Sequence, residues 1–269
     1  MYARKRFGQH FLEPAWVRKV VELIGPGSSD DFLEIGAGRG ALTLPLAAGV
    51  GRLVAVEIDR DLAAGLAPRL PPNARLVITN VLDADLKALV DRELPGASRV
   101  RIAGNLPYNV AVPILLKLLR LREACGSLTD ATIMLQREVA DRIVARPGTK
   151  DYGVLTILLR IHANATRLLA LPPGAFRPAP KVTSAVVRVD FHDPIVKLGD
   201  RQGFDALVRG LFTRRRKTVL NALKVVTDPA GLNAAEVLAK VGLDSRRRPE
   251  TLEVTELAAL ADFLAARRK

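Results

Sequence analysis

Short strand-like runs rich in apolar residues alternate, over roughly the first 190 positions of this 269-residue chain, with segments whose apolar residues recur every three or four positions. The runs predict strands at 31–35, 52–57, 74–78, 99–104, 130–136, 161–168 and 184–191. The intervals predict helices; in 111–120, for example, Val112, Leu115, Leu116 and Leu119 share a helical face. Strands that alternate with helices build a largely parallel sheet covered on both faces, because each parallel crossover returns through a helix packed on that sheet. Past His192-Asp193-Pro194 the strand-like runs stop. Phe204, Leu207, Val208 and Leu211, and later Leu257, Leu260 and Leu264, keep helical spacing, so 1–192 is expected as an α/β domain and 193–269 as a small all-α domain.

Composition adds a core and a partner. Hydrophobic residues make up 49% of the chain, enough for one large or two modest cores. Lys and Arg number 41 against 28 acidic residues, a formal charge of +13, which favours a polyanionic partner over an acidic small molecule. The densest clusters are Arg4-Lys5-Arg6, Arg214-Arg215-Arg216-Lys217 and Arg246-Arg247-Arg248, the candidate nucleic-acid-binding residues; solvated helix faces or a membrane surface are the other readings of such charge. Cys125 is the single cysteine and His10, His162 and His192 are dispersed, so no metal-ligand spacing exists and no metal is expected. No apolar run reaches about 18 residues and the N-terminus has no signal-type apolar stretch, so a cytoplasmic protein with no membrane partner is expected.

Two motifs carry chemistry. Asp31-Phe32-Leu33-Glu34-Ile35 leads into Gly36-Ala37-Gly38-Arg39-Gly40 and then a helical pattern, the order of a nucleotide-binding loop in which Gly36 and Gly38 permit close backbone approach. Glu57, at the end of the next strand, lies at about the 20-residue interval expected of an acid that holds ribose hydroxyls. Such a loop also serves NAD, or is simply a tight turn. Asp83, after the third strand, is read as an acceptor for a cofactor's adenine amine. The second motif, Asn105-Leu106-Pro107-Tyr108, follows the fourth strand. An adenine amine is a poor nucleophile because its lone pair is delocalised into the ring; the Asn105 oxygen and the Leu106 carbonyl can accept its two N–H bonds and draw it toward tetrahedral geometry. Pro107 stiffens the turn and Tyr108 offers a stacking face. The bland reading is a strand end followed by a proline turn, with Tyr108 in the core. No His-plus-carboxylate pair suggests hydride transfer, so S-adenosylmethionine fits better than NAD.

With these residues in place, the chain resembles the small-subunit rRNA adenine N6,N6-dimethyltransferase family over nearly its whole length. The resemblance rests on Arg6–Leu12, Glu34–Thr43, Asn105–Asn109, Phe176–Val187 and Phe212–Asn221, in that order. It implies a Rossmann-like class I methyltransferase sheet with a small all-α C-terminal domain. It implies that S-adenosylmethionine is held by His10, Leu12, Gly36, Glu57, Asp83 and Asn105. His10 departs from the Asn of many relatives. Tyr108 and Phe176 would sandwich the target adenine, although Phe176 could instead pack as a lid over the core, and Phe212–Asn221 would be a basic RNA-facing helix. The implied reaction is dimethylation of two adjacent adenosines near the 3′ end of small-subunit rRNA, within the small ribosomal subunit, by a monomer. Two alternatives stay open: a large-subunit rRNA adenine methyltransferase of the macrolide-resistance type, and a non-catalytic assembly or transcription factor.

Overall fold

The computed structural model describes residues 10–267. They fall into two compact units, 10–140 with 164–192, and 141–163 with 193–267. The first unit opens with a two-residue strand, β1 (Phe11–Leu12), and helix α1 (Pro14–Ile24), which has Pro at its first turn and stops at Gly25 in the left-handed region (φ 60°). Then come β2 (Asp31–Ile35), α2 (Thr43–Ala47), β3 (Arg52–Glu57), α3 (Arg60–Leu66), β4 (Ala74–Ile78), α4 (Leu86–Glu93), β5 (Val100–Asn105), α5 (Ala111–Ala124) and β6 (Leu128–Gln136). The chain leaves this unit within α6 (Arg137–Val144) and, after α7 (Val154–Arg160), returns along β7 (Ala163–Leu171), β8 (Phe176–Arg177) and β9 (Ser184–Phe191).

Seven strands form one sheet in the order β4-β3-β2-β5-β6-β9-β7, while β1 pairs with β8 alone. The five strands from β4 to β6 run parallel, and β9 is antiparallel to β6. The expected strands all form, with ends shifted by a few residues. Burial on both faces explains why β2 reads as a continuous run rather than an alternation: all five of its residues are buried. The chain direction reverses in sheet order on either side of β2 and β5, so their carboxyl ends open a crevice where doubly wound sheets take ligands. Gly104 permits that pairing. A Cβ there would lie 2.6 Å from the Ile35 carbonyl oxygen.

The second unit gathers α7 with α8 (Arg201–Thr213), α9 (Val219–Thr227), α10 (Ala234–Val241) and α11 (Val254–Ala266). Asp200, Thr218 and Asn233 side chains cap α8, α9 and α10 by accepting first-turn N–H bonds. The crossing near His192 falls where the hydrophobic pattern changes, but residues 141–163 also join the helical unit. Tyr152 accounts for this. Its side chain is fully buried, its hydroxyl donates to the Leu252 carbonyl at 2.8 Å, and its ring tilts against Phe212 at 6.1 Å. Gly148 N–H also donates to the Glu250 carbonyl. No described helix is long and apolar enough to cross a membrane, and among the described residues no three His, Cys, Asp or Glu side chains cluster to hold a metal.

Candidate active site

The carboxyl ends of β2, β3, β4 and β5 line one cavity in the first unit, closed on another side by His10, Phe11 and Leu12. The glycine loop enters first. Gly36, Gly38 and Gly40 have φ of 81°, 57° and 82°, a region costly for other residues. Glu57 fixes the loop: one carboxylate oxygen accepts the Gly38 N–H at 2.7 Å and the other the Asp59 N–H at 2.8 Å. Each oxygen has a second lone pair, so the carboxylate can still accept from a ligand's hydroxyls. The Arg39 guanidinium rests 4.2 Å over the Phe11 ring, tying the loop to β1.

Glu34 was quoted from sequence only as part of the strand and of the Glu34–Thr43 motif, with no role of its own. It lines the cavity, is 1% exposed, and one of its oxygens has no hydrogen-bond partner. Burial, and more weakly the Glu57 charge, push its carboxyl up to about 7 against the lowering effect of Thr43. A buried acid with an open oxygen, next to a glycine cradle and a ribose-type acid, fits a ligand that carries a cationic group and an adenosine moiety.

At the end of β5, Asn105 donates from Nδ2 to the His10 carbonyl at 2.7 Å. This fixes the amide's orientation and leaves Oδ1 as an acceptor. The Leu106 side chain is 1% exposed, which anchors the turn through Pro107. Tyr108 stacks on His10, with ring centroids 5.4 Å apart and planes at 24°. Its hydroxyl bonds to the buried Ser184 hydroxyl, and burial raises its pKa.

Four sequence expectations need correction. Phe176 does not line the cavity: it pairs with Leu12 in the β1–β8 ladder and is fully buried in the core, as its reading as a lid over the core has it. The motif reaches the site through Ser184 instead. Asp83 is exposed and does not line the cavity, because β4 ends at Ile78 and the chain turns before reaching it. Asn80 stands at the cavity wall, and Asp83 accepts its Nδ2 at 2.7 Å. Arg214–Lys217 form the turn between α8 and α9 rather than a helix; Thr218 starts α9 afresh. Arg247 is committed to structure, gripping both Glu256 oxygens and the Thr251 carbonyl. The remaining predicted cations divide similarly. Arg214, Arg216, Lys217, Arg246 and Arg248 are exposed, whereas Arg215 donates to the Lys150 carbonyl. Backbone bonds from Val219 to Arg247 and from Leu220 to Ser245 bring the two basic loops together. Arg4, Lys5 and Arg6 lie outside the described residues.

Strand order, glycine cradle, ribose-type acid and the Asn-Leu-Pro-Tyr turn at one sheet edge define a Rossmann-like class I methyltransferase, whose donor is S-adenosylmethionine. Comparison with known proteins narrows the class. A model of the family described as "Ribosomal RNA adenine dimethylase" matches residues 1–260. The chain is 42% identical over 264 residues, 97% of its length and 92% of the relative's, to ribosomal RNA small subunit methyltransferase A of Acinetobacter baylyi. Its fold is similar to that of a dimethyladenosine transferase from Plasmodium falciparum (TM-score 0.78, 22% identity, 96% and 98% of the two chains). It is also similar to that of the 23S rRNA methyltransferase ErmE (TM-score 0.67, 22% identity, 95% and 99%). This chain belongs to the ribosomal RNA adenine dimethylase family.

Proposed function

We propose that the protein dimethylates N6 of two adjacent adenosines near the 3′ end of small-subunit rRNA, acting on the small ribosomal subunit in the cytoplasm as a late step of ribosome assembly. The observation that carries this reading is the Asn105 amide, pinned through Nδ2 so that Oδ1 is left to accept, at the same cavity as the glycine loop and Glu57. S-adenosylmethionine supplies a methyl group on a sulfonium, which passes directly to an aligned nitrogen and so requires no strong general base. The chain's own residues prepare that nitrogen. Asn105 Oδ1 and the Leu106 carbonyl accept the two N6–H bonds and favour a lone pair out of conjugation with the ring. Tyr108, tethered through Ser184, supplies a rigid stacking face, so the base must be unpaired or flipped to reach it. The alkylated nitrogen is cationic and acidic, and its proton leaves to water or a neighbouring carbonyl. Glu57 and the Gly36–Gly38 backbone hold the adenosine part of the donor, with Asn80 beside them and Leu12 as an apolar wall. Positioning and hydrogen bonding then supply most of the acceleration.

The fold alone does not select the small subunit, since a solved 23S rRNA methyltransferase shares it. Sequence identity above 40% to small-subunit enzymes favours the small subunit. The test is transfer of labelled methyl to undermethylated small and large subunits in parallel, with the modified nucleoside identified by mass spectrometry. Dimethyladenosine in small-subunit RNA alone is the expected outcome. Label in large-subunit RNA would assign the resistance-type activity, and none in either would favour a binding factor.

A further inference from the structure

The chain between β4 and α4 forms part of the cavity on the side given above to the donor's adenosine. Thr79, Asn80, Val81 and Leu82 line the cavity there, and the Thr79 N–H donates to the Glu57 carbonyl at 3.0 Å. Asn80 shapes this wall from within. Its Oδ1 accepts the Leu82 N–H at 3.1 Å, and its carbonyl accepts the N–H groups of Asp83 and Ala84, each at 3.0 Å. The Leu82 carbonyl is met from a different element. Lys117 on α5 reaches across and donates to it from Nζ at 2.5 Å. A charged amine makes a stronger bond to a carbonyl than a neutral donor does.

Lys117 is half-buried in a groove of about 640 Å³ between α4 and α5, and Leu82 lines both this groove and the cavity. The carboxylates nearest in sequence are committed elsewhere. Asp85, in the same groove, accepts the Ala88 N–H as the cap of α4, and Asp91 accepts from Lys87. Ile114, three residues before Lys117 and therefore on the same helix face, lines the cavity. The chain enters α5 from the Asn105–Tyr108 turn, to which the Val110 N–H is bonded through the Pro107 carbonyl at 3.0 Å. One ammonium thus ties the 79–82 wall to the helix that continues from the methyl-accepting turn. We propose that Lys117 is a positioning residue of the donor site, holding the 79–82 wall at the spacing from α5 that the donor's adenosine requires. It acts through Leu82, and the inference rests on the donor site rather than on which rRNA is methylated.

Adenosine is common to the donor and to its demethylated product, so loss of the tether should weaken both alike. A pure charge effect has another signature. The donor carries a sulfonium that the product lacks, so removing a nearby cation would by itself favour the donor. The test compares wild type with Lys117→Met, which keeps the apolar stem, Lys117→Arg, which restores a charged donor, and Arg120→Met, which removes an exposed cation of the same groove. It measures binding of S-adenosylmethionine and of S-adenosylhomocysteine by calorimetry without RNA, hydrogen exchange across 79–85, and melting to confirm folding. Lys117→Met should raise both dissociation constants about 5- to 20-fold and speed exchange across 79–85. Lys117→Arg should stay within about threefold of wild type and Arg120→Met within about twofold. Lys117→Gln, one atom shorter and polar, serves the same comparison if the Met variant does not fold. Donor and product affinities within about twofold of wild type in Lys117→Met would overturn the proposal. Equal weakening in Arg120→Met would overturn it in favour of the groove's charge, and tighter donor binding with product binding unchanged would reduce Lys117 to a distant cation. No donor binding by wild type would remove the donor site itself, and this inference with it.

Discussion

In the proposed mechanism Asn105 carries two demands at once, since its Nδ2 is spent on the His10 carbonyl and its Oδ1 would be the acceptor that activates N6. Asn105→Ala should therefore lower kcat by about 100-fold or more while leaving small-subunit affinity nearly unchanged; near-normal single-turnover transfer would contradict the mechanism. Glu34 makes a different prediction. Its carboxyl rises from 4.5 to about 7 on folding, so between these values the folded chain keeps a proton that the unfolded chain releases. Stability accordingly declines as pH rises across that window and is level above it, by a few kcal/mol at most. Glu34→Gln should abolish the decline, which urea titrations at pH 5 and pH 8 would show; parallel pH curves for both proteins would refute it. At this scale the sequence was partly legible. Residue types at strand ends located Glu57 and Asn105, but whether Asp83 or Asn80 meets the cavity, and which residue bonds the Tyr108 hydroxyl, depends on strand ends and pairings that sequence spacing leaves a few residues loose.

Elements are held to the sheet by a buried charge network that no motif announced. Arg101 on β5 donates to Asp30, to both oxygens of Asp130 on β6, and to the Ile24 and Gly25 carbonyls that end α1. All three charged side chains are below 10% exposed, and each is compensated, which is the condition for tolerating buried ions. The Phe32 ring lies 4.9 Å from the guanidinium. Arg101→Met would strand two carboxylates and leave α1 without its carbonyl partner, a loss of about 3–5 kcal/mol. A denaturation midpoint within experimental error of wild type would show the network to be dispensable. Alternation of strands and helices was readable because apolar periodicity reports burial directly. The turn at Arg214–Lys217 was not. A run of cations has no period, and only Thr218 capping α9 shows that one helix has ended and another begun.

For the whole molecule, charge is the property that should govern binding. Arg214, Arg216 and Lys217 are exposed in one loop, with Arg246 and Arg248 in the loop bonded to it. Each phosphate contact adds close to one unit to the salt slope of binding. Replacing Arg214, Arg216 and Lys217 together by Ala should flatten the dependence of log affinity for small subunits on log salt by about two to three units. Arg247→Ala should leave the slope nearly unchanged and instead cost up to about 1 kcal/mol of stability, since it loses the half-exposed Glu256 pair. Equal slopes for the triple variant and wild type would move the RNA interface elsewhere.

The sequence by itself determined the class of fold, the methyl-donor loop, the Asn-Leu-Pro-Tyr turn and the basic character of the surface. These depend on local period, on backbone freedom at glycine and on net charge, all of which a linear pattern records. Tertiary structure alone decided that Tyr152 carries residues 141–163 into the helical unit, that Arg247 is structural while its neighbours are exposed, and that His10 stacks on Tyr108. Each depends on side chains far apart in sequence competing for one partner. That competition is settled by packing and hydrogen-bond satisfaction in three dimensions, and spacing along the chain does not encode its winner.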